Sequence, residues 1–188
     1  TSAVASGNSV FFGAADGYMY GLYSSTGEVS WKLDTGAPIT MAGPVLAATY
    51  SIAMNDRGVA TAAATATGKK AWTYDAGRPS GVRPIVANGN VIFVSSDGVA
   101  HCVRAGDGAL VWKSSSASGG VASTPAYWNG KLYVAASDGT VTMISGSDGK
   151  TLKKWDIGPG VSAGLTVAEG KVFAIDDAGA PHELVDAR

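Results

Sequence analysis

The 188-residue sequence predicts an all-β protein, a β-propeller of four-stranded antiparallel blades that repeat about every 41 residues. Two interleaved series of short motifs lead to this prediction, because the glycines of both series recur every 40 or 41 residues. The first series is Asp16-Gly17, Asp56-Arg57-Gly58, Asp97-Gly98, Asp138-Gly139 and Asp177-Ala178-Gly179. The second series starts at Thr26-Gly27, Thr67-Gly68, Asp107-Gly108 and Asp148-Gly149, and its members end at Trp31, Trp72, Trp112 and Trp155.

Each repeat unit reads as four short strands, since apolar, β-branched and aromatic runs alternate with Gly, Asn, Asp and Ser turn residues. The third unit shows the order most clearly. Residues 84–87 form an inner strand, 91–94 a second, 99–104 a third and 109–112 an outer strand. Four antiparallel strands per unit of about 40 residues are typical of a propeller blade, whereas a two-layer sandwich requires no fixed period.

The whole chain is predicted to form one propeller domain, or part of one, with blades at about 1–34, 35–75, 76–115, 116–157 and 158–188. Residues 1–7 align with residues 124–130, so the sequence opens on an inner strand and closes in the third strand of the fifth unit. Four full blades and three strands of a fifth are therefore expected. Closing a ring would then need further blades or a second chain.

The composition excludes several function classes. Hydrophobic residues make up 46% and charged residues 15%, which indicates a globular chain without a long charged helix. A formal net charge of −1 argues against a nucleic-acid partner or a polybasic membrane-surface protein. We expect no transmembrane segment, because the longest uncharged window, residues 35–55, is interrupted by glycines and prolines and reads as two strands and a loop.

In order and spacing, the pattern of apolar strand, Asp-Gly, apolar strand, Thr-Gly and Trp resembles the PQQ-like (pyrroloquinoline-quinone-type) propeller repeat over essentially the whole chain. The resemblance implies an extracytoplasmic, bacterial protein. The same repeat builds quinone-dependent dehydrogenases, the scaffold lipoprotein of the outer-membrane protein assembly machinery and sensor portions of receptor kinases. It therefore predicts the fold more specifically than the activity.

Two sets of repeated residues invite a chemical interpretation. The Asp-Gly pairs resemble parts of calcium-binding arrays, but each pair lies about 40 residues from the next, and turn formation explains it better. The repeated tryptophans are suited to stacking on a flat cofactor, but their place on every outer strand favours packing between blades. We therefore predict neither a metal nor a cofactor.

Catalytic residues are also not predicted. The dehydrogenases that the repeat resembles use calcium, acidic residues and an adjacent pair of cysteines, whereas this sequence has one cysteine, Cys102. His101 and His182 have no nucleophile elbow or matched base in the sequence, and are expected to be strand histidines with local partners. Cys102 is expected to pack as a small hydrophobe.

Departures from the repeat identify the candidate binding residues. Arg57, Arg78 and Arg83 come from the second blade and its exit, and we expect them to meet on one rim and grip a carboxylate or phosphate. Solvated rim charges are the alternative. Trp128 lies at the inner-to-second-strand connection on the other rim, where it either contacts a partner or packs on a neighbouring turn.

The leading hypothesis is a non-catalytic propeller module that binds a protein or a small ligand, an anion among the candidates, as a sensor or scaffold. The alternative is a piece of a PQQ-dependent dehydrogenase whose catalytic residues lie outside this sequence. A purely architectural arc without a ligand is the third interpretation.

Overall fold

A computed structural model of the chain describes residues 1–115, 120–121, 123–158 and 160–184. These residues form strands and turns without an α-helix. The first blade comprises β1 (Val4–Ser6), β2 (Ser9–Gly13), β3 (Tyr18–Tyr23) and β4 (Val29–Asp34). The second comprises β5 (Val45–Ala47), β6 (Tyr50–Met54), β7 (Val59–Ala64) and β8 (Lys70–Asp75). The third comprises β9 (Ile85–Ala87), β10 (Asn90–Val94), β11 (Val99–Arg104) and β12 (Leu110–Ser115). The fourth comprises β13 (Ala126–Trp128), β14 (Lys131–Ala135), β15 (Thr140–Ser145) and β16 (Thr151–Asp156), and the last β17 (Thr166–Ala168), β18 (Lys171–Ile175) and β19 (Pro181–Leu184).

The sheets have the composition that the repeat predicts. Four sheets contain four strands in chain order, and the fifth contains three described strands, β17, β18 and β19. Neighbouring strands pair antiparallel, as in the register Val4↔Phe11 of the first blade. The all-β prediction is therefore confirmed, while residues 116–119 and 185–188 of the predicted fourth and fifth units fall outside the described part of the chain.

One strand is longer than the sequence predicts. The outer strand β12 runs to Ser115, whereas the sequence pattern ends it at Trp112. The residues after Trp112, Lys113 to Ser115, are polar, so no apolar residue marks this part of the strand in the sequence.

The chain divides into two compact units, Thr1–Phe93 with Cys102–Leu110, and Val94–His101 with Val111–Arg188. In the first unit, one apolar cluster lies between the facing sides of the second and third blades, and includes Ile52, Ala62, Trp72, Val91 and Val103. In the second unit, an equivalent cluster includes Tyr133, Val141, Met143, Val172 and Leu184. Burial of such faces between successive blades is the main source of stability in this architecture.

Three of the four repeated tryptophans, Trp31, Trp72 and Trp112, join successive blades. The indole N–H of Trp31 donates to the carbonyl of Thr65, that of Trp72 to Ala105 and that of Trp112 to Gly146, each at 2.9 Å. The ring of each lies against a glycine of the next blade: Gly68, Gly108 and Gly149 respectively. Each contact combines a directional hydrogen bond with aromatic packing, so these tryptophans are structural.

The hairpin acids hold turns in two ways. Asp16 accepts the backbone N–H of Tyr18 and Asp138 that of Thr140, at 3.1 and 2.9 Å, which is the role expected of Asp in a turn. Asp56 lies one residue earlier in its repeat. Its carboxylate instead accepts the backbone N–H and the hydroxyl of Thr40, at 3.1 and 2.6 Å, and so fastens the loop before β5 to the hairpin.

Candidate functional site

Arg57 and Arg78 lie on the same rim of the second blade. Arg57 is in the hairpin between β6 and β7, where Asn55 Oδ1 accepts its backbone N–H at 3.1 Å. The backbone of Arg78 lies against Gly58, so closely that a Cβ at Gly58 would be 2.5 Å from the Arg78 carbonyl carbon. Both arginine side chains are exposed. The fold thus brings their backbones together and leaves both guanidinium groups accessible.

Arg83 extends toward the inner strand of the second blade. Its Nη2 donates to the carbonyl of Pro44, directly before β5, at 3.2 Å. The equivalent residues of neighbouring blades are Gly43, Thr124 and Gly164, so the long cation is particular to this blade. One of its N–H groups is used within the fold, and the joint anion site of Arg57, Arg78 and Arg83 stays a prediction.

Trp128 is the last residue of the inner strand β13 rather than part of the following connection. Its cross-strand partner is Lys131, and the turn between them is completed by Asn129 with φ 47°. Trp128 is 42% exposed. The equivalent residues of the other described blades are small: Ser6, Ala47, Ala87 and Ala168. A large, half-exposed aromatic residue at this position is suited to contact a partner.

His101 is a structural residue. It is 1% exposed, and its Nε2 lies 3.4 Å from Ser95 Oγ. Ser95 donates its hydroxyl to Asp97 Oδ1 at 2.6 Å, so this serine is not activated by the imidazole. Burial, followed by the nearby Lys113, lowers the pKa of His101, so the ring is neutral at pH 7.

The second histidine follows the same repeat geometry. His182 Nε2 lies 2.8 Å from Asp176 Oδ2, six residues earlier, as His101 lies six residues after Ser95. Asp176 Oδ1 also accepts the backbone N–H groups of Ala178 and Ala180, at 3.0 and 2.8 Å. The bond to His182 is the main cause of the lowered pKa of Asp176. The pair holds the last described hairpin together.

Cys102 is the remaining candidate residue, and it is a buried free cysteine. Burial raises the pKa of Cys102 to about 11, which makes its thiol a poor nucleophile. Among residues 1–115, 120–121, 123–158 and 160–184, no three His, Cys, Asp or Glu side chains are placed to share a metal ion. Within the same ranges, no helix is long and apolar enough to cross a membrane.

A groove that the sequence did not predict lies beside the second blade. It has a volume of about 470 Å³ and is lined by Tyr50, Ala64, Thr67, Lys69, Lys70, Ala71, Gly106 and Asp107. A signal was present, because Lys69 and Lys70 stand where neighbouring repeats have Glu28-Val29 and Ala109-Leu110. From sequence alone, two consecutive lysines at an exposed position indicate only solvent-exposed charge, and the groove beside them becomes visible in the fold.

A family model described as outer membrane protein assembly factor BamB matches residues 1–81 and 55–179 of this chain. The two matches overlap because a repeat can be aligned in more than one register. Together they cover nearly all of the described residues, and they confirm the predicted PQQ-like repeat.

Individual comparisons agree with the family match. The outer membrane protein assembly factor BamB of Escherichia coli (strain K12) is 29% identical over 148 residues, which are 77% of this chain and 36% of that protein. The crystal structure of BamB from Moraxella catarrhalis has a TM-score of 0.76 at 15% identity, over 96% of this chain and 62% of that one. The chain thus spans about a third of the length of the first curated relatives it matches.

A quinone enzyme shares the architecture. A quinohemoprotein alcohol dehydrogenase from Pseudomonas putida HK5 has a TM-score of 0.73 at 13% identity, over 98% of this chain and 42% of that one. At this identity the likeness concerns the fold alone. The predicted propeller fold is confirmed by both structures.

Proposed function

The chain belongs to the family described as outer membrane protein assembly factor BamB, and we propose that it is a non-catalytic, extracytoplasmic propeller module that binds protein partners during outer membrane protein assembly. The relatives are named for an assembly role and not for a reaction. Because this chain spans about a third of their length, its partners are part of the proposal.

The observation that carries the proposal is the structural use of the repeat's polar and aromatic residues. Asp16 and Asp138 hold their own hairpin turns, and Trp31, Trp72 and Trp112 bond the next blade. A framework occupied in this way offers its surface to a partner, rather than a reactive centre to a substrate.

The dehydrogenase alternative is less well supported. Its vicinal cysteine pair has no counterpart in this sequence, which contains a single cysteine. The Pseudomonas putida enzyme is 13% identical to this chain, and at that identity the likeness indicates a shared fold and not a shared activity. Catalytic residues outside these 188 positions would be required for that function.

Trp128 is the proposed partner contact. Buried aromatic anchors dominate the energy of protein interfaces, and a half-exposed tryptophan at the end of a rigid strand loses little conformational freedom when it binds. The remaining apolar contacts would come from the surface around the β13–β14 turn.

Site-specific photo-cross-linking tests the proposal. The chain is exported to the periplasm of Escherichia coli lacking its own BamB, with p-benzoylphenylalanine at Trp128 or, as a control, at Met41, which is 54% exposed in the loop before β5. We expect an adduct with an outer membrane assembly protein at Trp128 and none at Met41. A folded chain that forms no such adduct at Trp128, or forms the same adducts at both positions, would contradict the proposal.

A further inference from the structure

The groove beside the second blade, defined above by its eight lining residues, has two chemically different edges. On one edge, Lys69 and Lys70 are exposed, at the start of the outer strand β8, and neither forms an ion pair with a described residue. On the other edge, Asp107 accepts the backbone N–H of Ala109 at 3.0 Å and pairs with Arg104 at 2.6 Å. The lining of the groove thus contains two lysines without an ion pair and, from another chain segment, the carboxylate of Asp107.

The lining also includes apolar side chains. The ring of Tyr50 is half-buried and packs against the apolar cluster of the second and third blades, and Ala64 and Ala71 complete the wall. The volume of about 470 Å³ falls within the range of small-ligand sites, roughly 300 to 1,000 Å³. A small inorganic anion has no apolar group that could cover these apolar side chains.

The contacts of Trp72 with the third blade fix the shape of the groove. Trp72, in β8, donates its indole N–H to the carbonyl of Ala105, and Gly108 lies against its ring. The two edges of the groove come from the two chain segments that Trp72 connects. A ligand therefore meets a preorganised site and loses little free energy in ordering it.

We propose that this groove binds an acidic peptide segment, with a carboxylate on Lys69 and Lys70 and a neighbouring apolar side chain against Tyr50. The proposal does not depend on the contact at Trp128. Both lysines line the groove, so a bound carboxylate would be attracted to two cations at once.

Asp107 distinguishes a peptide from other polyanions. Hydrogen bonds from Ala109 and Arg104 lower the pKa of this carboxyl, so it is ionised at neutral pH. Peptide N–H groups can donate to such a carboxylate, whereas a polyphosphate has no donor and is repelled by it. The groove thus favours a ligand that carries both carboxylates and N–H donors.

Fluorescence anisotropy with a dye-labelled Gly-Glu-Phe-Glu-Phe-Gly peptide tests the inference. We expect saturable binding that weakens about tenfold in the double variant Lys69→Ala/Lys70→Ala. The charge-matched control is Lys153→Ala/Lys154→Ala, a second lysine pair on the outer strand β16, which should change the affinity less than about twofold. Thermal melting of each variant verifies that it is folded.

Two further measurements separate the possible outcomes. Ala71→Glu places a carboxylate in the groove and should abolish peptide binding while leaving the fold intact, because Ala71 is exposed. Inorganic polyphosphate should compete poorly with the peptide. The proposal is overturned if both lysine pairs reduce binding equally, if polyphosphate competes as well as the peptide, or if the folded chain does not bind the peptide.

Discussion

His101 shows how the repeat accommodates an ionisable group in its interior. The side chain is 1% exposed, and burial is the main cause of its lowered pKa, with Lys113 adding to it. The unfolded-state pKa is about 6.5, so the unfolded chain takes up a proton first as the pH falls. The resulting stability is present above about pH 6.5 and is lost as the pH falls toward the folded-state pKa.

This pH dependence gives a direct prediction. The free energy of unfolding should fall between pH 7.5 and pH 5, by about 1.4 kcal/mol for each unit of difference between the folded-state and unfolded-state pKa. Urea denaturation at both pH values measures it. His101→Gln should flatten the dependence, and an unchanged slope in this variant would assign it to other groups.

The rim arginines lead to a prediction about anion binding. Arg78→Ala/Arg83→Ala should weaken the binding of sulfate, measured by calorimetry, because two guanidinium groups of the predicted anion site are removed. The thermal stability should change little, since both side chains are exposed and Arg83 loses one hydrogen bond to Pro44.

Arg104→Ala is the control for this pair, because its guanidinium already pairs with Asp107. Equal sulfate binding by the double variant and the native chain would show that the rim arginines are solvated charges. Binding should also weaken with salt, since exposed charges are screened over about 8 Å at physiological ionic strength.

For single residues, the sequence predicted the roles of repeated positions better than contacts between blades. The roles of Trp31 and Asp16 followed from their repeat positions. The contact between Arg83 and Pro44 and the groove at Lys69 could not be predicted in the same way, because each joins residues from different blades. Sequence periodicity records the position of a residue within a blade and not the direction of a long side chain.

At the scale of the element, the joint between tryptophan and glycine determines how one blade meets the next. A Cβ at Gly108 would lie 2.7 Å from the Trp72 ring, and its φ of 73° also disfavours any other residue. Gly27 has nearly the same backbone angle, 74°, but no described atom lies within 4 Å of such a Cβ. The two positions therefore separate backbone strain from loss of packing.

Gly108→Ala should consequently destabilise the chain more than Gly27→Ala. The shared backbone penalty is about 1 kcal/mol, and displacement of the Trp72 ring should add about 1–3 kcal/mol at Gly108. Chemical denaturation of the two variants provides the comparison. Equal losses would show that the glycine is required for its backbone alone.

Strand order and turn positions were predictable, since alternating apolar residues and Asp-Gly turns are local signals. The fastening of the loop before β5 by Asp56 was not, although the carboxylate is displaced by one residue from its position in Asp16-Gly17. An aspartate one position earlier looks like a variant turn until its partner, Thr40, is brought near by the fold.

At the scale of the whole molecule, the chemistry of the repeat can be tested with the cofactor itself. With pyrroloquinoline quinone and calcium added, the chain should give no dye-linked oxidation of alcohols or sugars above a control without protein. The sequence has no cysteine pair, and Asp16 and Asp138 are bonded within their own hairpin turns. Turnover above that control would favour the dehydrogenase interpretation.

We propose that the chain is a protein-binding module of outer membrane protein assembly. The folded fraction of a β-barrel porin in Escherichia coli lacking BamB, measured from the heat-dependent shift in gel mobility, tests this proposal. Periplasmic expression of this chain should raise the folded fraction, and Trp128→Ala at the same level should not. A chain that accumulates in folded form and leaves the porin fraction equal to that of cells without it would contradict the claim.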